Sequence, residues 1–289
     1  SADGVSLEHS LELAIPHDES EEDHDMVVVL AGAGDVNQDG FDDLLVGLPG
    51  EDVQVIDEVG EGIETLASAG IVQLHLGSED DGVEAPAWIM TGDVVGAFFG
   101  SSVSAAGDLN GDGYGDVLVG APGEGNGMQG RVHIFLGQAG GLGSIAEQVL
   151  TGTETGGEFG AAVAGVGDLN LDGFDDVVVG APGHPRAGEG TGVVQVLHGS
   201  GEGLVEVGIL EPAPGVTKFG SVLQGVGDTN GDGLPDFLVH GIGSDDVHGV
   251  YLFEGVSREG TGVNPGAILV SPVDPDIGLP GVRLVAGPG

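Results

Sequence analysis

Apolar and polar side chains alternate in short runs along most of the chain, and the runs recur at a fixed spacing. Gly130-Arg-Val-His-Ile-Phe-Leu136, Gly192-Val-Val-Gln-Val-Leu197 and Gly249-Val-Tyr-Leu-Phe253 show a period of two, which marks a half-buried strand. Before each stands a β-branched run, at 117–121, 177–181 and 237–241, also a strand by length and composition. Runs at 101–106, 161–166 and 221–226 follow a Phe-Gly pair, and short segments at 88–90, 148–150 and 208–210 complete the sets. No stretch carries the three-to-four spacing of a long helix.

The pairs Phe99-Gly100, Phe159-Gly160 and Phe219-Gly220 stand 60 residues apart, and each precedes an Asp-rich loop by nine. A fixed period of this size means a repeat fold. Four strands per period, with small residues on the first where blades converge, predict an all-β protein, a β-propeller of four-stranded antiparallel blades. The repeats run over about 26–91, 99–151, 159–211 and 219–271, in a single domain of 1–289. The first has Met26-Val27 in place of Phe-Gly and about 13 extra residues, with its longest loop at 50–68. Residues 1–20 begin with Val5, Leu7, Leu11, Leu13 and Ile15 at odd positions, and 281–287 resembles another inner strand. The termini 1–20 and 279–289 are therefore expected to close a degenerate fifth blade. Four blades with appended termini, or a fragment of a seven-bladed ring, are the alternatives.

Between the first and second strands of each repeat lies the same nine-residue loop. The copies are Asp35-Val-Asn-Gln-Asp-Gly-Phe-Asp-Asp43, Asp108-Leu-Asn-Gly-Asp-Gly-Tyr-Gly-Asp116, Asp168-Leu-Asn-Leu-Asp-Gly-Phe-Asp-Asp176 and Asp228-Thr-Asn-Gly-Asp-Gly-Leu-Pro-Asp236. Side-chain oxygens recur at positions 1, 3, 5 and 9, and Gly at position 6 admits the positive φ of a tight turn. An all-oxygen set of this size suits calcium better than magnesium, which demands a tighter octahedron and keeps its water. The expected side-chain ligands are Asp35, Asn37, Asp39 and Asp43; Asp108, Asn110, Asp112 and Asp116; Asp168, Asn170, Asp172 and Asp176; and Asp228, Asn230, Asp232 and Asp236. Phe41, Tyr114, Phe174 and Leu234 at position 7 would add backbone carbonyls, giving about four Ca²⁺. An EF-hand shares this opening but needs a carboxylate at position 12. Here that position is Val46, Val119, Val179 or Val239. Because protein oxygens fill each site, the metal is read as structural; a catalytic ion keeps an open position. Pro235 at position 8 removes an amide donor from the fourth loop but no ligand.

The order Phe-Gly, Asp loop, Gly-Ala-Pro resembles the FG-GAP repeat of integrin α-subunit propellers and their bacterial relatives, over roughly residues 26–255. Gly-Ala-Pro is intact at 120–122 and 180–182 and drifts to Gly47-Leu-Pro49 and His240-Gly241. The resemblance implies calcium in each intact loop, on the face opposite the usual ligand-binding face. It also implies that loops after the second strands, and those joining blades, build the ligand face. The 50–68 loop, rich in acids, would suit cations or polyhydroxyl ligands there.

The chain carries a net charge of −43, which repels nucleic acid and anionic lipid. It has no Cys, so calcium is the staple available to an extracellular domain. No apolar run approaches a membrane span, and Ser1 opens no signal peptide, so the chain reads as a processed soluble piece with no direct membrane insertion. Gly125-Asn-Gly-Met-Gln-Gly130 matches a dinucleotide fingerprint but joins two strands and opens no helix. No Gly-x-Ser-x-Gly elbow, phosphate loop or Cys nucleophile occurs, and the nine His show no triad or metal spacing. His75 and His133 read as packed strand residues, His184 and Arg186 as an exposed turn, and Trp88 as core rather than a sugar platform. The expected function is therefore not enzymatic: a secreted or cell-surface calcium-binding propeller acting in adhesion, with a protein or carbohydrate ligand on its loop face. The alternatives are an architectural segment of a larger surface protein, or a hydrolase or lyase built on the propeller scaffold.

Overall fold

The structure is a computed structural model describing residues 27–56, 63–79, 85–185, 190–212, 214–243 and 248–255, together with the backbone of 269–272 and 283–286. Among these residues there is no helix. The chain runs through β1 (Val29–Gly34), β2 (Asp43–Leu48), β3 (Val53–Ile56), β4 (Ile63–Leu66), β5 (Ile71–His75) and β6 (Trp88–Thr91). It continues through β7 (Ser102–Gly107), β8 (Asp116–Ala121), β9 (Arg131–Phe135), the short pair β10 (Gly137–Gln138) and β11 (Gly141–Leu142), and β12 (Gln148–Thr151). Next come β13 (Ala162–Gly167), β14 (Asp176–Ala181), β15 (Val193–His198) and β16 (Val205–Glu211). The last are β17 (Leu223–Gly227), β18 (Asp236–Ile242), β19 (His248–Glu254), β20 (Leu269–Pro272) and β21 (Arg283–Ala286). Among the described residues these strands form four antiparallel blades: β1-β2-β5-β6, β7-β8-β9-β12, β13-β14-β15-β16 and β17-β18-β19-β20. These are the blades of a β-propeller.

Each inner strand leaves its ladder through a bulge beside Gly34, Gly107, Gly167 or Gly227. All four glycines hold a positive φ, between 66° and 79°, a conformation that costs glycine nothing. The bulge steers the chain out of the sheet directly into the Asp loop. The second strand of a blade is buried on both faces by alternate residues. Val117 and Val119 of β8 pack toward the first blade while Leu118 packs toward the third. Val177 and Val179 of β14 face the second blade, and Val178 the fourth.

The Phe of each Phe-Gly pair fills the seam between its own blade and the preceding one. Phe99 packs with Leu45, Leu74 and Phe135; Phe159 with Leu118, Ile134 and Val179; Phe219 with Val178, Tyr251 and Phe253. Burying one such ring contributes about 1.5–3 kcal/mol. The Gly of Gly-Ala-Pro has a different cause. A Cβ on Gly47, Gly120 or Gly180 would stand 2.3, 2.0 or 1.9 Å from the carbonyl oxygen of Gly100, Gly160 or Gly220, on the next blade. Only glycine lets that blade approach. The fourth blade has His240 at this place.

Two expectations are corrected. The 50–68 segment contains the ribbon β3–β4, in which Val53 pairs with Leu66 and Ile56 with Ile63. Its alternating Val-Gln-Val-Ile can pair within itself, so it need not stay a loop. Arg283–Ala286, expected on the inner strand of a further blade, instead pairs antiparallel with β16 at the outer edge of the third blade, Gly208 opposite Ala286. An unpaired outer edge is a ready template for another strand. Residues 1–20 and the rest of 279–289 lie outside the described residues.

Candidate calcium loops and the opposite face

Antiparallel pairing puts all four Asp loops at one end of the blades; the connections after the second strands and between blades lie at the other end. Each Asp loop is folded by its own carboxylates. The first Asp accepts the amide of the position-6 glycine at 2.8 Å in every copy (Gly40, Gly113, Gly173, Gly233). These glycines have φ between 89° and 93°, as the sequence requires. The Asn at position 3 accepts the amide of position 5 and donates its own amide to that Asp, as from Asn110 to Asp112. Position 5 accepts the amide of position 7, as from Tyr114 to Asp112 at 3.0 Å. Position 4 is also left-handed. Gly111 and Gly231 fill it twice, but Gln38 (φ 58°) and Leu171 (φ 59°) hold it without that freedom.

The ninth residue differs from the rest. Asp43, Asp116, Asp176 and Asp236 are at most 3% exposed. One oxygen of each accepts the amide of position 2 (Val36, Leu109, Leu169, Thr229). The other accepts the amide of a glycine past the third strand (Gly77, Gly137, Gly199, Gly255) at 2.8–3.0 Å. The ninth Asp therefore ties the loop to a segment 19 to 34 residues away. In the second and third loops burial pushes this carboxyl up, to about 6 in Asp116 and about 7 in Asp176, against the pull of those amides and with some help from neighbouring Asp residues. Asp43 is raised for the same reason.

Successive loops are also joined to one another. Gly115 N–H donates to the Asp35 carbonyl at 3.1 Å, and Asp175 N–H to the Asp108 carbonyl at 3.0 Å. The Asp175 carboxylate returns the contact by accepting the Asp108 amide at 2.9 Å. In the fourth loop Pro235 occupies this place, has no N–H, and packs instead where a Cβ on Gly167 would meet it at 3.3 Å. The missing donor is visible in the sequence; its partner, the preceding loop, is brought within reach only by the fold. At position 7 the Phe174 ring lies against Gly111 of the preceding loop, and Leu234 is buried. The third loop adds His198, whose Nδ1 lies 2.9 Å from the Asn170 amide nitrogen.

The donors are all oxygens and their type fits a hard divalent cation. Among the described residues, however, no three acidic or histidine side chains form a ready-made metal cage; the carboxylates bind the loop's own amides. Gathering them around an ion would exchange amide contacts for metal contacts.

At the opposite end the ribbon β3–β4 carries an apolar cross-strand pair, Ile56 and Ile63, that is 75% and 73% exposed. Glu124 is buried beside Arg131, and its carboxylate accepts from Arg131 and from His133 Nε2, the latter at 2.7 Å. Burial would raise the Glu124 carboxyl, but His133 and Arg131 together hold it below its ordinary value. His133 also meets the Phe99 ring edge-on, so it is a packed strand residue. Trp88 packs edge-on against Phe135 and donates Nε1–H to the Gly143 carbonyl, as a core residue would. Gly125 to Gly130 joins β8 to β9 without a helix. His184 lines a cavity of about 500 Å³ with Glu154, Gln195, Glu206 and Ile209; Arg186 lies outside the described residues.

The FG-GAP repeat model matches residues 29–74, 99–135 and 159–197, inside the first three blades. The chain belongs to the integrin-α-like FG-GAP repeat family. It is 38% identical over 160 residues to integrin alpha-3 of Cricetulus griseus, covering 52% of this chain and 15% of that protein. To integrin alpha-V of Gallus gallus it is 35% identical over 227 residues, 71% of this chain and 21% of the relative. To integrin alpha pat-2 of Caenorhabditis elegans it is 32% identical over 243 residues, with coverages of 76% and 18%. The chain thus spans about a fifth or less of these relatives. The fourth FG-GAP-like blade goes unmatched by the repeat model yet has the same sheet order and Asp loop as the other three.

Proposed function

We propose that this chain is a calcium-stabilised propeller segment of an extracellular or cell-surface protein, acting in adhesion through a protein ligand held on the face opposite the Asp loops. It is not an enzyme in this reading. The observation that carries it is the fourfold loop in which a buried ninth carboxylate, pinned by two amides, stands behind exposed oxygens at positions 1, 3 and 5. Asp108, Asn110, Asp112, Asp116 and their counterparts, with the position-7 carbonyls, would hold the ions. Bound Ca²⁺ would supply positive charge where each loop concentrates carboxylates, in a chain whose net charge is −43. The integrin-α relatives support the adhesion class. The exposed Ile56–Ile63 pair favours a protein over a carbohydrate, because an apolar knob of this kind buries best against another protein surface.

The deciding experiment is thermal and urea unfolding with Ca²⁺ and after EGTA. At a hundredfold excess over Kd each independent site adds about 2.7 kcal/mol, so a large, EGTA-reversible rise in midpoint is expected. An unchanged midpoint would reduce the loops to solvated turns and remove the calcium reading.

A further inference from the structure

We propose that His240 and His248, with Ser221 behind them, form a binding site for a divalent first-row transition metal, distinct in place and chemistry from the Asp loops. His240 occupies the position that is Gly47, Gly120 and Gly180 in the other blades. There the missing side chain makes room for the next blade's carbonyl. Here an imidazole stands in that space. It lies on β18 about 13 Å of strand from Asp236, at about 3.3 Å per residue.

Register brings the second imidazole to it. Val250 lies opposite His240 and His248 opposite Ile242. His240 and His248 are therefore diagonal neighbours on one face of the hairpin, within reach of ring side chains. His240 Nε2 lies 2.9 Å from His248 Nδ1, with ring centroids 5.0 Å apart and planes tilted by 30°. The Ser221 hydroxyl lies 2.7 Å from the other ring nitrogen of His240, Nδ1. A polar partner on the far nitrogen is what orients a metal-binding imidazole and fixes its tautomer. His240 is half-buried and His248 exposed, so the site opens to solvent on the His248 side. Burial and the neighbouring imidazole lower the proton affinity of His240, which leaves its ring neutral and able to donate a lone pair.

Without metal the pair shares one hydrogen bond. A metal ion takes the place of that hydrogen bond: the shared proton moves to an outer ring nitrogen, which on His240 is the Nδ1 facing the Ser221 hydroxyl, and the exposed His248 ring swings to aim its lone pair at the same point. Two ring nitrogens 2.9 Å apart subtend about 90° at an ion about 2.0–2.1 Å from each. That is the cis angle of tetragonal Cu²⁺ or Ni²⁺; a swing of His248 that widens the separation to about 3.3 Å would admit tetrahedral Zn²⁺ as well. Imidazole nitrogen also selects these ions over Ca²⁺ and Mg²⁺, which take oxygen. Water completes the coordination.

The test uses the full chain saturated with Ca²⁺. NiCl₂ and CuCl₂ are titrated calorimetrically, and the Cu²⁺ complex is examined by electron paramagnetic resonance for coupling to two imidazole nitrogens. The chain has seven other histidines, so variants decide the assignment. His240→Gln and His248→Gln should each lose one ion or bind it at least about tenfold more weakly, and should lose the two-nitrogen signature. Ser221→Ala should keep the ion and weaken it about tenfold, the size of an outer-shell effect. His133→Gln and His198→Gln should leave it unchanged. Should His240→Gln fail to reach the wild-type unfolding midpoint, His248→Gln, at an exposed strand start, decides alone. Unchanged stoichiometry and affinity in His248→Gln, or a copper spectrum without paired nitrogens, overturns the proposal.

Discussion

In the Asp loops, side-chain oxygens at four offsets, three from Asp and one from Asn, do two kinds of work. Positions 1, 3 and 5 close the turn from the solvent side, while the ninth Asp is buried and holds two amides. The metal-free protein should show the cost of that burial. Asp116 and Asp176 bind a proton more tightly folded than unfolded, with values of about 6 and about 7 against 3.8. Protonation therefore stabilises the fold, and this stability is lost as pH rises through those values. His198 and His240 are depressed and push the other way in the same window, but the two carboxylates have the larger shifts and decide the sign. Chelator-treated protein is expected to melt higher at pH 5.5 than at pH 8, and Ca²⁺ to flatten the difference. A higher midpoint at pH 8 without metal would refute this account. Leu171 poses a separate residue-scale question. It is 62% exposed and left-handed, a backbone state that costs an ordinary residue about 1–2 kcal/mol. Leu171→Gly should raise stability by up to about 1 kcal/mol after glycine's own entropy is counted, readable as a shift in urea midpoint.

The strands and loops were the legible part of the sequence, because their signals are local. Alternation spelled the third strands, Phe-Gly marked the period, and the nine-residue loop gave its turn glycine and its carboxylates together. What stayed hidden depends on partners far along the chain. Nothing near Asp43 names Gly77 as its amide donor, and nothing near Asp175 names Asp108. The β3–β4 ribbon was obscured by the acids among its apolar residues, although Val53, Val55, Ile63 and Leu66 carry the pattern. The link between loops makes an element-scale prediction. Asp175→Pro removes both contacts to Asp108 and should cost about 1–3 kcal/mol. The reverse change, Pro235→Asp, restores the donor and acceptor that the fourth loop lacks and should add about 0.5–1.5 kcal/mol. Equal urea midpoints for both variants and the parent would show that the loops fold independently.

At the scale of the molecule the described blades form a series in which each of the first three presents an empty glycine position to the next, whose Phe fills the seam. A stack built from such units carries no intrinsic length, since every blade added exposes the same face again. His240 changes that for the fourth. With a ring where the others leave room for a carbonyl, this blade should accept a neighbour in front and refuse one packed the same way behind, so that a single side chain would act as a stop on the series. A duplicate of residues 159–211 inserted ahead of the fourth blade should lengthen the protein and still unfold in one transition. The same duplicate placed after residue 255 should remain unpacked, visible as protease sensitivity, until His240→Gly reopens the face. Length in this fold would then be written not in the number of repeats a gene carries but in which one bears the obstruction.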